Sequence, residues 1–295
     1  MRFVAYLLDY KCNNNCIFCT RPADPNVPNI WDRERSKTIE DVKKDFKRMR
    51  ENKIEGIILT GGEPTIRRDF FEVLELCKVA GFKTVSIQTN GRIFSRKSFV
   101  GKLTEFSPML DVFLSFHTHK KPLFEKLVGT RSFVETIVGI RNLVDRGFTP
   151  RTNTVVMKPN YRHLSETISF LGEIGIKNTE LMFVHPNGYA WVNREEIVPM
   201  VEDVIPYVKK AIDKARLIGI NPTLIRFPIC LLGDYKKYAT EMFLHPKMII
   251  ESEKIRTRGQ ECTACKFYNR CSGIWSNYLK IYSFKFRPIN SNDST

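Results

Sequence analysis

Three thiols lie within eight residues in the segment Cys12-Asn13-Asn14-Asn15-Cys16-Ile17-Phe18-Cys19. Three consecutive asparagines oppose regular structure and tolerate left-handed turns, which wrapping three thiolates around one object requires. A structural zinc site wants four close ligands, whereas this segment offers three and no histidine. A four-iron cluster held by three thiolates leaves one iron open to an exogenous ligand, an arrangement that suits catalysis. Four more thiols, Cys230 and the run Cys262-x2-Cys265-x5-Cys271, make a complete ligand set near the C-terminus. Zinc or a second four-iron cluster would satisfy it equally by spacing. Cys77 occupies an apolar position of an amphipathic stretch and is expected to pack in the core. A long chain rich in core residues and without a recognisable leader points to a reducing cytoplasm and metal-bound thiolates rather than disulfides.

The elements that must position these thiols follow from periodicity. Strands are predicted over Phe3–Tyr10, Ile54–Leu59, Thr84–Thr89, Asp111–Phe116, Arg151–Met157 and Thr179–Val184. Helices are predicted over Thr38–Met49, Asp69–Ala80, Lys97–Phe106, Phe133–Arg146, Leu164–Ile174 and Val201–Ile218. Thr38 is a candidate cap, and Gly81, Gly147 and Gly175 stand where helices stop. Six strand-then-helix units argue for parallel strands with right-handed crossovers. A closed eight-unit barrel takes about 250 residues, so an incomplete (β/α)6 TIM-like barrel fits the first 220 better. Gly219–Pro222 reads as a boundary, giving a partial barrel over residues 1–220 and a small irregular cysteine-bearing domain over 221–295.

The second strand ends in Gly61-Gly62-Glu63-Pro64. Two glycines permit close backbone approach, Glu63 is a carboxylate suited to an amino group, and Pro64 stops the strand. Cys-x3-Cys-x2-Cys with an aromatic before the third cysteine, followed by this tetrapeptide, resembles the signature of the radical S-adenosylmethionine (SAM) superfamily. Both motifs follow parallel strands, so both fall at the C-terminal rim, where barrel active sites sit. The resemblance implies that Cys12, Cys16 and Cys19 bind a four-iron–four-sulfur (4Fe-4S) cluster. SAM would chelate the open iron, and its reductive cleavage would give methionine and a 5′-deoxyadenosyl radical that takes a hydrogen from the substrate.

The same resemblance assigns cofactor contacts to Phe18, Gly61, Gly62, Glu63 and Pro64. Thr89 and Asn90 resemble a segment that meets the SAM ribose, and Ser115 a position that often does the same. Asn153, a polar residue among apolar ones, is expected at the ribose or carboxylate, and Val184 at the adenine. His117 and His119 would share one face if the fourth strand persisted, and are candidate catalytic or proton-handling groups. The proline-rich connection Thr20–Lys37, with Trp31, is long enough to cover the cofactor or gate substrate.

The C-terminal cysteines resemble the SPASM and twitch extensions of that superfamily, which hold auxiliary 4Fe-4S clusters. The match is partial, because Trp275 stands where the fuller pattern has a further cysteine. Four thiols allow one auxiliary cluster, with zinc as the competing occupant and electron relay as the role implied. Such relatives commonly modify peptides or proteins, so a peptide substrate and a flavodoxin- or ferredoxin-type electron donor are expected.

Composition bounds these readings. With 42% hydrophobic residues and 21 Phe, the chain is globular rather than disordered. No run of 18 apolar residues is present, so no membrane partner is expected. The formal charge is +15, and residues 221–295 carry 12 Lys and Arg against 6 Asp and Glu. That basic segment keeps a nucleotide- or tRNA-modifying enzyme as the alternative, and a non-catalytic iron–sulfur protein as a third reading.

Overall fold

The computed structural model describes residues 2–21, 36–243 and 255–290. Seven parallel strands pair in chain order: β1 Phe3–Asp9, β2 Gly56–Gly61, β3 Thr84–Thr89, β4 Leu110–Ser115, β5 Arg151–Val156, β6 Asn178–Phe183 and β7 Asn221–Ile225. The intervening helices are α1 Ile39–Glu51, α2 Phe70–Val79, α3 Lys97–Leu103, α4 Lys121–Val128, α5 Phe133–Asp145 and α6 Leu164–Glu173. After β6 come two short helices, α7 Tyr189–Val192 and α8 Arg194–Ile197, and the long α9 Val201–Leu217. β1 and β7 are the two edges of the sheet, so the barrel is open.

Local chemistry explains the boundaries. Thr38 caps α1 in a reciprocal box, its hydroxyl accepting the Asp41 N–H while the Asp41 carboxylate accepts the Thr38 N–H. α2, α5 and α6 are each followed by a left-handed glycine, at φ 76°, 82° and 93° for Gly81, Gly147 and Gly175. Burial alternates along β4 from Asp111: Val112 and Leu114 are buried, whereas Asp111, Phe113 and Ser115 are half-buried on the opposite face. That inner face is polar. The Arg151 guanidinium donates twice to the Asp111 carboxylate, at 2.9 and 2.6 Å, and Ser86 Oγ adds a third bond at 2.8 Å. One row higher, Ser115, Asn153, Glu180 and Thr223 stand in register across β4 to β7.

The structure corrects two expectations. The seventh strand begins inside the Gly219–Pro222 segment and pairs with β6 from Asn178 to Met182, so the barrel continues past residue 220. Pro222 lacks an N–H, which an edge strand tolerates because one side of it is unpaired. α4 is likewise absent from the periodicity reading. Beyond β7 lie short 3-10 turns and one small antiparallel pair, Arg256–Thr257 with Ile274–Trp275. This segment docks through Tyr278, fully buried, whose hydroxyl accepts the Val201 N–H at 3.0 Å. Tyr282 Oη donates to the Val198 carbonyl at 3.1 Å beside it. No helix among the described residues is long and apolar enough to cross a membrane.

Candidate functional site

The loop leaving β1 carries the first thiols, and a set of backbone bonds fixes its path. Asp9 Oδ1 accepts the Tyr10 and Lys11 N–H groups and the Ser36 hydroxyl, at 2.7, 3.1 and 2.6 Å. Burial alone would raise this carboxyl, but the Ser36 and backbone bonds outweigh it and hold it below the usual carboxylate range. Further along, Asn15 N–H and Ile17 N–H donate to the carbonyls of Val128 and Leu127 at the end of α4. Tyr189 N–H donates to the Cys19 carbonyl, and Asn193 Nδ2 to the Ile17 carbonyl. Gly129 is required here: its φ is +67°, and a Cβ would sit 2.2 Å from the Asn15 carbonyl oxygen.

Cys12, Cys16 and Cys19 line one pocket with Tyr10, Arg21, Gly61 and Gly62. Cys12 Sγ accepts the Asn14 N–H at 3.4 Å and Cys19 Sγ the Arg21 N–H at 3.5 Å. Burial pushes the Cys12 and Cys16 thiols up, so thiolates here need a compensating cation, which an iron core supplies. The residues present therefore fit a cluster held by three cysteines.

Glycine is needed at positions 61 and 62 because the chain itself comes close. A Cβ would lie 2.2 Å from the Asp9 carbonyl oxygen at Gly61 and 2.1 Å from that of Lys11 at Gly62. Glu63 is buried, and its carboxylate is a hub for internal bonds. Oε1 accepts from Thr65 N, Thr65 Oγ1 and Thr89 Oγ1 at 3.2, 2.5 and 2.7 Å, and Oε2 accepts the Asn90 N–H at 2.6 Å. Burial raises its pKa against the opposing pull of these bonds. The carboxylate expected to meet an amino group thus also bolts the β2 and β3 rim turns together, with Pro64 opening a buried 3-10 turn behind it.

Asn90 extends the bolt to the cysteine loop, its Nδ2 donating to Asn13 Oδ1 at 2.7 Å. Arg92 clamps the same loop by donating to the Asn13 carbonyl and, at 3.0 Å, to Asn14 Oδ1. Glu135 holds the other side of that guanidinium at 2.6 Å. Asp9, Arg92 and Gly129 escaped sequence reasoning. Their partners are distant in the chain, and only the spacing of Arg92 two residues after Asn90 hints at a shared turn.

The condition on which His117 and His119 would share a face is not met. β4 ends at Ser115, so His117 and His119 do not share a strand face. His117 is buried, its ring edge-on to Phe18 at 4.7 Å, and Nδ1 accepts the Val155 N–H at 3.3 Å. Burial pulls its pKa down to about 3, which favours the neutral ring. His119 Nδ1 instead meets Thr167 Oγ1 on α6 at 3.2 Å, and its pKa is lowered by burial. Phe18 thereby acts as the loop's apolar anchor against His117.

Among the remaining rim positions, Val184 is buried with its N–H on the Val156 carbonyl at 3.3 Å. Ser115 faces the inner side, and Asn153 Nδ2 donates to Glu180 Oε1 at 3.0 Å. His185, after β6, stacks on Trp275 at 3.8 Å. Residues 22–35 of the proline-rich connection, including Trp31, lie outside the described residues.

Cys230, Cys262, Cys265 and Cys271 line a second pocket together with apolar groups such as Ile229, Phe267 and Phe286. Backbone N–H groups reach the sulfurs: Gly273 to Cys271 at 3.3 Å, Ile289 to Cys265 at 3.4 Å, and Arg287 to Cys230. Burial raises the Cys230 thiol to about 11 and also raises Cys262 and Cys271. Four thiols lining one pocket are a complete ligand set, which fits one four-iron cluster or a zinc ion. Cys77 is buried in the core away from both sets.

The model of the radical SAM superfamily matches residues 8–171. A probable GTP 3′,8-cyclase of Sulfurisphaera tokodaii is 31% identical over 212 residues, covering 71% of this chain and 64% of the relative. One from Saccharolobus solfataricus is 30% identical over 182 residues, covering 61% of this chain and 56% of the relative. The chain therefore spans less than two thirds of the length of these relatives. Among solved structures, Streptococcus suis SuiB bound to its precursor peptide SuiA superposes with TM-score 0.68 at 17% identity, over 95% of this chain and 73% of SuiB. The enzyme anSMEcpe with bound AdoMet and a Cp18Cys peptide gives TM-score 0.64 at 16% identity, over 92% and 89% of the two chains. At these identities the likeness is one of fold.

Proposed function

The chain belongs to the radical SAM superfamily, and from that premise we propose that it is an enzyme that cleaves SAM at the Cys12, Cys16 and Cys19 site and modifies a carbon centre of a peptide or protein. The observation that carries the site assignment is the single cavity lined by those three thiols together with Gly61 and Gly62. When bound, the cluster supplies the electron that turns SAM into methionine and a 5′-deoxyadenosyl radical. The chain's own residues hold the loop, orient the cofactor and keep water out. Gly61 and Gly62 present backbone to SAM, while Glu63, Thr89 and Asn90 fix the rim turns. Ser115 and Val184 complete the nucleoside side, and Phe18 with Pro64 supplies apolar backing.

Cys230, Cys262, Cys265 and Cys271 form the ligand set of one auxiliary 4Fe-4S cluster. Because four thiols complete its coordination, its role is electron relay rather than substrate ligation. A flavodoxin- or ferredoxin-type protein in the cytoplasm serves as donor.

Two observations favour a peptide substrate. The two fold neighbours described above carry bound peptides and cover nearly the whole chain. The inner face of the barrel is also charge-balanced, Arg151 against Asp111 and Arg226 beside Glu180 and Glu241, so it does not call for a polyanion. The nucleotide reading rests on the GTP 3′,8-cyclase relatives. The two separate in one assay: reconstituted protein with SAM and dithionite is given either GTP or a peptide mixture. GTP-dependent loss of GTP with 5′-deoxyadenosine formation would replace the peptide reading.

A further inference from the structure

Residues 255–290 carry seven Lys and Arg against one acidic residue, Glu261. Arg256 is buried, whereas Lys266, Arg270, Lys280, Lys285 and Arg287 are exposed. The contrast with α1 is plain. That helix has five basic residues too, but Glu40, Asp41, Asp45 and Glu51 offset them along its length.

Several of these cations stand around the four C-terminal thiols. Arg258 and Arg287 line the pocket that Cys230, Cys262, Cys265 and Cys271 share. Lys266 follows Cys265 directly, and its N–H donates to the carbonyl of Ile289, which lines the same pocket. Exposure alternates along the next stretch as in an extended chain: Ser283, Lys285 and Arg287 are exposed, whereas Phe284 and Phe286 are half-buried. The two phenyl rings meet edge-on at 5.0 Å, and Phe286 closes on the thiols. All four cysteines are themselves partly exposed, with half-buried Phe267 and Tyr268 among them. Half-buried apolar groups over the thiols, ringed by cations, have the make-up of a protein-binding patch with a polar rim.

The exposure of the rim decides what it is for. A cation recruited to neutralise thiolates is drawn inward, as Arg256 is beside Cys271. Lys266, Lys285 and Arg287 stay in solvent, where they act on an approaching partner. A nucleic-acid surface needs cations that track a phosphate backbone, whereas these circle a single pocket.

We propose that the rim of Arg258, Lys266, Lys285 and Arg287 docks an acidic one-electron carrier protein against the pocket of the second thiol set. The inference rests on the auxiliary-cluster reading above and adds the surface through which that centre is reached. On docking, the reduced carrier loses one electron, the auxiliary cluster takes it up, and no proton or atom moves. Opposite charge steers the encounter and sets its orientation, and the small apolar patch keeps the contact short-lived.

Charge reversal at the rim tests this. The ligand is a plant-type [2Fe-2S] ferredoxin, an acidic carrier, offered anaerobically to the reconstituted holoenzyme with SAM. Lys266→Glu combined with Lys285→Glu reverses the rim. Lys43→Glu combined with Lys47→Glu makes the same charge change on α1, which takes no part in that pocket. Iron content and melting temperature verify that both variants are folded and loaded. The measurements are Kd at low and high salt and the rate at which reduced ferredoxin is reoxidised. The rim variant is expected to raise Kd and lower the rate about tenfold, with a weaker salt dependence, while the α1 variant matches the wild type. Equal values for wild type and rim variant, or equal losses in both variants, overturn the inference and leave the auxiliary cluster standing. Loss of tRNA retention by the rim variant with ferredoxin binding unaltered assigns the surface to nucleic acid and overturns it likewise. Wild-type protein that loads about four irons per chain rather than about eight removes the auxiliary-cluster reading itself.

Discussion

The Glu63 carboxylate accepts the Asn90 backbone N–H at 2.6 Å, joining the turn after β2 to the turn after β3. Asn90 in turn bonds Asn13, between the first two cysteines, so one buried anion sets the spacing of three rim loops. Glu63→Ala would leave Thr65 N, Thr89 Oγ1 and Asn90 N without an acceptor. The expected cost is roughly 3 kcal/mol, a fall in Tm of about 5–10 °C, with weakened SAM binding. Thermal melts and calorimetric SAM titration check both; an unchanged Tm would mean that the hub carries no load.

Arg92 is expected to matter only for the first thiol set. Arg92→Ala removes the bonds to the Asn13 carbonyl and Asn14 Oδ1 but touches nothing near Cys265 or Cys271. Reconstituted variant should hold roughly half the iron of the wild type, the remainder being bound at the second set. Loss of all iron, or of none, would contradict the clamp.

His117 is expected to give a pH signature in stability. Its folded pKa is about 3 because of burial, against about 6.5 in the unfolded chain. Between those values the unfolded state binds the extra proton, so acidification from pH 6.5 toward 3 progressively favours unfolding. Urea titrations should show about 1.4 kcal/mol less stability at pH 5.5 than at 7.5 from this residue alone. The increment should vanish in His117→Gln, and its persistence there would assign it to another group.

The second centre is expected to respond to the C-terminal strand of chain that crosses it. Ile289 N–H donates to Cys265 Sγ while its carbonyl accepts the Lys266 N–H. Hydrogen bonds to cluster sulfurs favour the reduced state, so Ile289→Pro should move the auxiliary potential to a more negative value. Cys265→Ala should leave SAM cleavage measurable and abolish product formation. Potentiometric titration followed by electron paramagnetic resonance reads the first, and product analysis the second; full turnover by Cys265→Ala would rule out relay.

How much of this was legible in the sequence depends on range. The cysteine spacing, the glycine pair and the helix stops are local, and the strands they punctuate fall within two residues of their expected limits. β7 was hidden because Pro222 and Gly219 look like a linker, while its pairing with β6 is a long-range fact. Glu63 looked like a ligand for an amino group, since its three other partners lie at Thr65, Thr89 and Asn90 and only folding gathers them. Whether His117 and His119 share a face depends on where β4 ends, and beyond Ser115 the backbone turns and buries the His117 ring against Phe18, a contact that strand alternation does not show. Trp275 appeared in the sequence only as a missing cysteine. Its stack on His185 becomes visible only when the C-terminal segment docks on the rim.

Every role proposed for this chain depends on Cys12, Cys16 and Cys19 holding the centre at which SAM is cleaved. The direct measurement is 5′-deoxyadenosine formed from SAM by anaerobically reconstituted protein with dithionite, compared with Cys16→Ala. The wild type, with about eight irons per chain, is expected to form it, and Cys16→Ala, which should retain about four, is expected to form none. No 5′-deoxyadenosine from fully iron-loaded wild type, or equal amounts from Cys16→Ala, would contradict it.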